Sequence, residues 1–526
     1  MKKSILVLIV FFVLMSTSWA QIKSVTSFNV TNSAHPQSAS KVLNLRGHQH
    51  HAILSSNGYQ YVAFYSVLGN NLVNRFVNIG RRKLPDGAWE TIRFTDYRQT
   101  KNDSHNVIAL GICEGNGTLH MIFDQHNGSV PLRYRVSVEG LTSNPEQHSW
   151  QASKFGPVLG ALTGISANAV GNKFFTYPRF ITMPNGNLQL IRRHGSAVNG
   201  ASHIYTYNKD TKRWIHHGEF INGRAVEYTK PDTGAKTKLG PYLNGANYQN
   251  NRLHITWIWR TTGTTSNNNF DFMYAYSDDY GITWKNNSGV IAGRAGSSPM
   301  TYKNSVPVKV FDFPEGRGLT NQTGQTVDDK GRVHVYQTRN AAGGRRFMHL
   351  YSNDNGNWIN HETDHSSQRG KITHDAESNI YAIHRSGSIL KATEANNFTD
   401  WKFIRNNSDF AGEAHYDENR METDNIISMF VAKPDSSKEM LSIDLEVEKT
   451  ILNVNSETLE RVFLYPNPSS SGIFNLKTSN TWFVYNLLGA KIKEGIGSSI
   501  NIALQPKGIY LLKIPKTGKS FKLIKN

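Results

Sequence analysis

The middle of the chain alternates short apolar runs with tight polar turns. One element recurs six times: a turn bearing Asn or Gly, then an alternating run. It reads NGYQYVAFY from Asn57, NGTLHMIFD from Asn116, NGNLQLIRR from Asn185, NNRLHITWIW from Asn250, KGRVHVYQT from Lys330 and ESNIYAIHR from Glu377. Period-two alternation bounded by Gly and Asn marks a half-buried strand entered through a hairpin turn. No long stretch has helical periodicity. Multi-stranded units repeated along 526 residues predict an all-β fold, a β-propeller whose blades pack radially. Six elements are visible. Strands from the two ends of the chain can close one further blade, so seven blades are expected, with six as the alternative.

A second repeat agrees. Ser277 to Trp284 reads SDDYGITW and fits the S-x-D-x-G-x-T-W pattern of an Asp-box, a hairpin turn found in sialidase-like propellers. Its Ser and Asp are expected to satisfy turn backbone groups and its Trp to pack beneath, a structural role. LYSNDNGNW, Leu350 to Trp358, is a degenerate copy.

The ends of the chain differ from its middle. Residues 1–20 have a basic start, an apolar run and a small residue before Gln21, which predicts a secretory signal peptide. The propeller is expected over 21–435. Residues 436–462 are polar and charged, and read as a linker or a final propeller strand. Residues 463–526 read as a separate small β-sandwich. No later segment has about 18 unbroken apolar residues, so no membrane span is predicted. The single cysteine, Cys113, excludes an intramolecular disulfide and a thiol-rich metal site.

The net charge is +18 and the pI about 9.6. A basic exported protein favours polyanions. The cations are scattered without a nucleic-acid motif, which argues against nucleic acid and for acidic or sulfated polysaccharide.

The stretch from Asn102 to Asn127, NDSHNVIALGICEGNGTLHMIFDQHN, suggests where chemistry could lie. VIALGIC and TLHMIFD flank the turn EGNG, which predicts an antiparallel hairpin. Its centre is equidistant from His105 and His126. Cross-strand Cβ atoms lie roughly 4.5–5.5 Å apart, so the two imidazoles should stand side by side at the open end. On this hairpin alone, two solvated surface histidines are as good a reading. Tyr177, before Pro178, should sit at an extended strand start. FITM follows, PNGN turns and LQLIRR returns, which brings Tyr177 to the Arg192-Arg193 pair. Equivalent hairpin ends of adjacent blades share one surface, so His105, His126, Tyr177 and Arg193 can converge. Histidine takes a proton near neutrality, tyrosine donates or accepts one, and arginine binds a carboxylate through two parallel hydrogen bonds. Abstraction of a proton α to a carboxylate needs this set, as in β-elimination from a uronic acid. That chemistry requires no metal.

The span from roughly Arg46 to Val431 resembles the BNR-repeat propellers that include the ulvan lyases of polysaccharide lyase families 24 and 25. The similar segments are NDSHNVIALGIC, GTLHMIFDQHN with LRYRVS, TYPRFITMPNGNLQL with RHG, LHITWIWR with the Asp-box, LTNQTGQTVDDKGRVHV, and GEAHYDENR. The resemblance implies an endo-acting lyase on ulvan, a sulfated green-algal polysaccharide of rhamnose 3-sulfate and glucuronic or iduronic acid. Its oligosaccharide products would carry an unsaturated uronate at the non-reducing end. The family's His pair, Tyr and Arg map onto His105, His126, Tyr177 and Arg193. The reading adopted makes His105 the base, Tyr177 the acid (or the base for one uronate epimer) and Arg193 the carboxylate partner. His126 either shares that task or orients His105. Arg260, in WIWR, is a further candidate for carboxylate or sulfate. RRHGSAVNG departs from the more usual tyrosine-arginine-acid-glycine form. A sialidase-like hydrolase and a non-catalytic glycan-binding propeller are the alternatives.

Other histidines carry less. His48 and His50 of GHQHH could share a strand face, and His254 and His334 fit the core or the blade interfaces. A structural calcium or zinc ion is compatible with such propellers, with ligands not legible in the sequence. From LYPNPSSSGIFNL at Leu464 through VYNLLGAKI and GIYLLKI to FKLIKN, the tail resembles the C-terminal sorting domain of the Por (type IX) secretion system. It implies contact with that machinery and a secreted or outer-surface location. A monomer is expected.

Overall fold

Each recurrent turn-and-strand element becomes the second strand of an antiparallel sheet. A computed structural model describes residues 22–526 apart from 37–42, 47–50, 127, 129–130, 262–265, 304–305, 435–436, 449–463, 488 and 516–518. The expected signal peptide and the histidines His48 and His50 lie outside the described residues. Two compact units are present, 1–450 and 451–526.

The first unit is a β-propeller. Its described residues form seven sheets and a two-stranded ribbon. Taken in chain order as blades, the first four sheets begin with the inner strands Ile53–Ser56, Ile108–Cys113, Thr176–Thr182 and Gly240–Gln249. The remaining three begin with Gln325–Val327, Gly370–His374 and Ala411–Tyr416. Neighbouring inner strands pack on one another and the last packs on the first, except that the third sheet meets the inner strand of the fourth through its strands Asn199–Asn208 and Arg213–Asn222. Ring closure uses both ends of this unit. Ile22–Thr31 pairs antiparallel with Met440–Val447, which pairs with Ile426–Ala432. Met440–Val447 is therefore a blade strand, the second of the two readings given for this segment. Its nearly continuous burial, with all but Glu446 inside, explains why pairing wins over linker behaviour.

Alternation places the apolar faces between blades. Trp257 and Trp259 are fully buried, as is Trp284 of the Asp-box. In that box Ser277 Oγ accepts from the Gly281 amide at 2.8 Å and Asp279 Oδ1 from the Thr283 amide at 2.7 Å. The turn is satisfied locally and Trp284 stacks on Phe220. The motif is structural, as expected. In its degenerate copy Asn353 Oδ1 caps the Asn355 and Asn357 amides. His254 and His334 are buried, and His254 Nδ1 meets the Tyr274 hydroxyl at 2.9 Å.

One close approach positions the site. Gly111, on the inner strand of the second blade, lies against Phe180 of the third; a Cβ there would fall 2.4 Å from that ring. Only glycine lets the two inner strands pack this closely, and those strands lead to the histidine pair and to Tyr177.

The described residues of the second unit form five strands, from Leu464–Tyr465 to Lys519–Lys525, in one hydrogen-bonded sheet. The 13-residue strand Ile473–Tyr485 pairs first with Leu464–Tyr465 and later with Gly508–Ile514. Phe474, Trp482, Val484, Leu512 and Leu523 form its core.

Candidate functional site

The first hairpin forms in the register that its turn dictates. Pairing runs from Ile108–Phe123 to Cys113–Thr118, and His105 and His126 follow at its open end. Their rings stack with centroids 4.0 Å apart and planes at 18°. A residue that sequence reasoning missed holds them. Asp103 Oδ1 lies 2.6 Å from His105 Nδ1 and accepts from the His105 amide at 3.0 Å, while Oδ2 lies 2.5 Å from His126 Nδ1. One carboxylate thus clamps both rings. The signal was present in NDSH as an acid two residues before the histidine.

The clamp fixes charge and tautomer. Burial raises the Asp103 carboxyl pKa, but hydrogen bonds from His105 and His126 outweigh it and hold the group well below the ordinary carboxylate range. An ionised Asp103 accepts Nδ1–H from each ring, which makes Nε2 the basic nitrogen. The side chains of Asp103, His105 and His126 are 35 %, 36 % and 28 % exposed, so solvent and a ligand can reach them.

The second hairpin contains a correction. Thr176–Thr182 pairs with Leu188–Ser196 in one register from Leu188–Thr182 to Ile191–Arg179, then slips so that Arg193 faces Thr176. The slip is a bulge over Tyr177 and Pro178. Tyr177 is not extended there: its φ is +54°, in the left-handed region that a β-branched or bulky residue rarely adopts. The bulge re-aims the side chain. Arg193 Cζ then lies 4.6 Å from the Tyr177 ring centroid, and that ring lies 6.1 Å from the His105 ring. His126 bridges to Thr176, next to Tyr177. All four sequence candidates are brought together, from the second and third blades.

The two arginines flagged by sequence differ. Arg193 is 6 % exposed, and its Nε and Nη1 have no hydrogen-bond partner. Arg260 is equally buried but fully engaged. Nε meets Asn269 Oδ1 at 2.8 Å, Nη1 the Tyr242 hydroxyl at 3.3 Å and Nη2 Asn321 Oδ1 at 2.8 Å. Tyr242, also missed, lies between the two cations, 4.9 Å from Arg193 Cζ and 4.5 Å from Arg260 Cζ. Arg192 points to the opposite face, where it bonds the Tyr205 hydroxyl. A small cavity beside Arg193 is lined by Tyr177, Tyr242 and Gln322. A larger one, lined by His51, Asn247, Thr326, Glu418 and Glu422, includes none of the four candidates.

Burial pushes the Tyr177 phenol up to about 12, against the pull of Arg193 and, more weakly, Arg260 and Arg369. It is therefore a neutral proton donor at ordinary pH. Asp103, His105 and His126 could together hold a metal ion. Their separations of 2.5–2.6 Å suit hydrogen bonds better than the edge of a tetrahedral site, about 3.3 Å for bonds of about 2.0–2.1 Å. The arrangement can remove a proton, donate a proton and hold an anion between them.

Comparisons agree with this architecture. Residues 59–366 match the model of the BNR repeat-containing family. Over 323 residues the chain is 26 % identical to an "Ulvan lyase, long isoform" of Pseudoalteromonas sp. (strain PLSV), covering 53 % of this chain and 30 % of that one. Over 295 residues it is 25 % identical to an "Ulvan lyase, short isoform" of Alteromonas sp. (strain LOR), covering 48 % and 52 %. The chain thus spans about a third to a half of the length of these relatives. The crystal structure of polysaccharide lyase Uly1 superposes with a TM-score of 0.62 at 17 % identity, over 81 % of this chain and 99 % of that one. A PL25 ulvan lyase bound to -[GlcA(1-4)Rha3S]- superposes at 0.57 and 14 % identity, over 80 % and 97 %. The likeness in structure is one of fold. By its family match over more than half its length, the chain belongs to the BNR repeat-containing family.

Proposed function

We propose that the protein is a polysaccharide lyase that cleaves ulvan within the chain by β-elimination. Arg193 carries the reading. A guanidinium held over the Tyr177 phenol, next to the histidine pair, suits a ligand carboxylate through planar paired hydrogen bonds. Neutralising a uronate carboxylate makes the adjacent C5 proton acidic. Nε2 of His105, activated through Asp103, takes that proton. The electron pair forms the C4–C5 double bond as the C4–oxygen bond breaks, and the Tyr177 phenol gives its proton to the leaving oxygen. His126 shares the Asp103 carboxylate and orients His105. Relatives named ulvan lyases and the +18 charge favour a sulfated, carboxylated substrate.

The N-terminal leader and the C-terminal unit fit export through the type IX system and a secreted or outer-surface location. Among the described residues no helix is long and apolar enough to cross a membrane.

The test is incubation with purified ulvan. Elimination creates a conjugated double bond with new ultraviolet absorbance and unsaturated oligosaccharides by mass spectrometry. Reducing ends without absorbance would indicate hydrolysis, and retention without products would indicate a glycan-binding propeller; either overturns the reading. An early fall in viscosity marks cleavage within the chain.

A further inference from the structure

The departure RRHGSAVNG has a structural counterpart away from the catalytic face. In the third blade, Arg192 pairs with His203 and His194 with Ala201 across the second and third strands, and His203 pairs with Glu219 of the fourth. Side chains alternate along a strand, so His194, His203 and Glu219 gather on one face while Arg193 takes the other. His203 Nε2 lies 3.3 Å from His194 Nδ1 and 3.4 Å from Glu219 Oε1, and all three ligand atoms lie within 4.8 Å of one another.

We propose that His194, His203 and Glu219 form a zinc-class metal site that braces the third blade behind Arg193 and Tyr177. Two separations match the edge of a tetrahedron whose bonds are about 2.0–2.1 Å, which is about 3.3 Å. Two imidazoles and a carboxylate suit zinc rather than calcium, which prefers oxygen alone. A supporting layer is in place. His216 Nε2 takes the far edge of His203 at Nδ1, 2.9 Å away, which directs the Nε2 lone pair inward. Asn222 holds the other Glu219 oxygen at 2.6 Å. His194 and His203 are 9 % and 2 % exposed. The ring of Phe174 stacks on His194, centroids 5.2 Å apart. An ion here would therefore fix both the strand carrying Arg193 and the segment entering Tyr177.

Two cations oppose it. Arg192 neighbours His203, and Arg224 occupies the same Glu219 oxygen. Zinc must displace Arg224, which separates the proposal from an ordinary ion pair. The purified full chain, stripped with chelator, is titrated with zinc and followed by calorimetry and thermal unfolding, and with cobalt(II) followed by visible spectroscopy. The expected result is one equivalent bound, a rise of several degrees in Tm and the intense bands of tetrahedral cobalt. His203→Ala and Glu219→Gln should each abolish these signals, Arg224→Ala should tighten binding, and His105→Ala should leave all of them unchanged. No binding by a well-folded wild-type chain overturns the proposal. So does loss of binding in His105→Ala with retention in Glu219→Gln, which would place the ion at the catalytic pair. Neither outcome touches the lyase assignment, which rests on the ulvan assay.

Discussion

Two clusters of the same residue types lie on opposite faces of one region, and they are built differently. Around Asp103 a single carboxylate reaches both imidazoles at hydrogen-bond distance, and the rings are about one-third exposed. Around His203, His194 Nδ1 and Glu219 Oε1 stand 3.3 and 3.4 Å from Nε2, and the central ring is buried. Proton chemistry needs the first arrangement: a charged acceptor fixes Nδ1–H and leaves Nε2 basic in a wet cleft. Ligation needs the second, in which lone pairs converge on a common point. Separation of the heavy atoms, more than residue identity, distinguishes the two.

The largest break in this comparison is removal of the proposed base. His105→Ala should lower kcat by about 10²–10⁴-fold, and Tyr177→Phe should do so comparably, with unchanged far-ultraviolet circular dichroism. Turnover near wild type in either variant removes that residue from its role. Arg193→Ala comes next. Loss of one preorganised charge partner of this kind costs about 10²–10³-fold, and Arg193→Lys should also be poor because an ammonium cannot make paired planar contacts. Arg260→Lys should cost less, since Arg260 braces Tyr242 and Asn321. A larger loss for Arg260→Lys than for Arg193→Lys would exchange their functions.

Much of this region was legible because turns set register. EGNG fixes the frame in which Ile108 meets Phe123, and the same frame carries His105 to His126. PNGN does so for the second hairpin, up to the bulge. That bulge could not be read, since Pro178 points to extended backbone before it, whereas tertiary packing holds Tyr177 at φ +54°. Tyr242 escaped because its strand, GPYLNGANYQ, carries no turn that relates it to Arg193; only blade-to-blade packing does. The closing strand Met440–Val447 was ambiguous because its partner, Ile22–Thr31, lies more than 400 residues away.

A smaller effect tests the clamp itself. Asp103→Asn keeps shape but loses charge, and an amide can present its oxygen to only one of the two Nδ1–H groups. Loss of such an orienting partner costs about 10–100-fold, expressed in kcat more than in KM. Its pH dependence has a definite sign. The folded Asp103 pKa is depressed, so the stability it contributes is complete above the ordinary carboxylate range. That contribution fades only as pH falls through the lower folded value. Wild type should therefore hold its site geometry at mildly acidic pH, read by the histidine resonances in NMR, and loss of the paired signals above pH about 4 would contradict the clamp.

The finest test concerns Tyr177. Its phenol is raised to about 12 from 10.0 by burial. Between those values the folded chain keeps a proton that the unfolded chain releases. Stability must therefore fall as pH rises through that window, and the wild type should lose more there than Tyr177→Phe. As an acid, Tyr177 stays competent while neutral, so kcat on glucuronate-containing ulvan should show no gain from tyrosinate up to pH about 10. A kcat that climbs through this range, and does so only while Tyr177 is present, would make the phenolate the active form. Tyr177 would then be the base, and His105 would keep only a supporting place in the cleft.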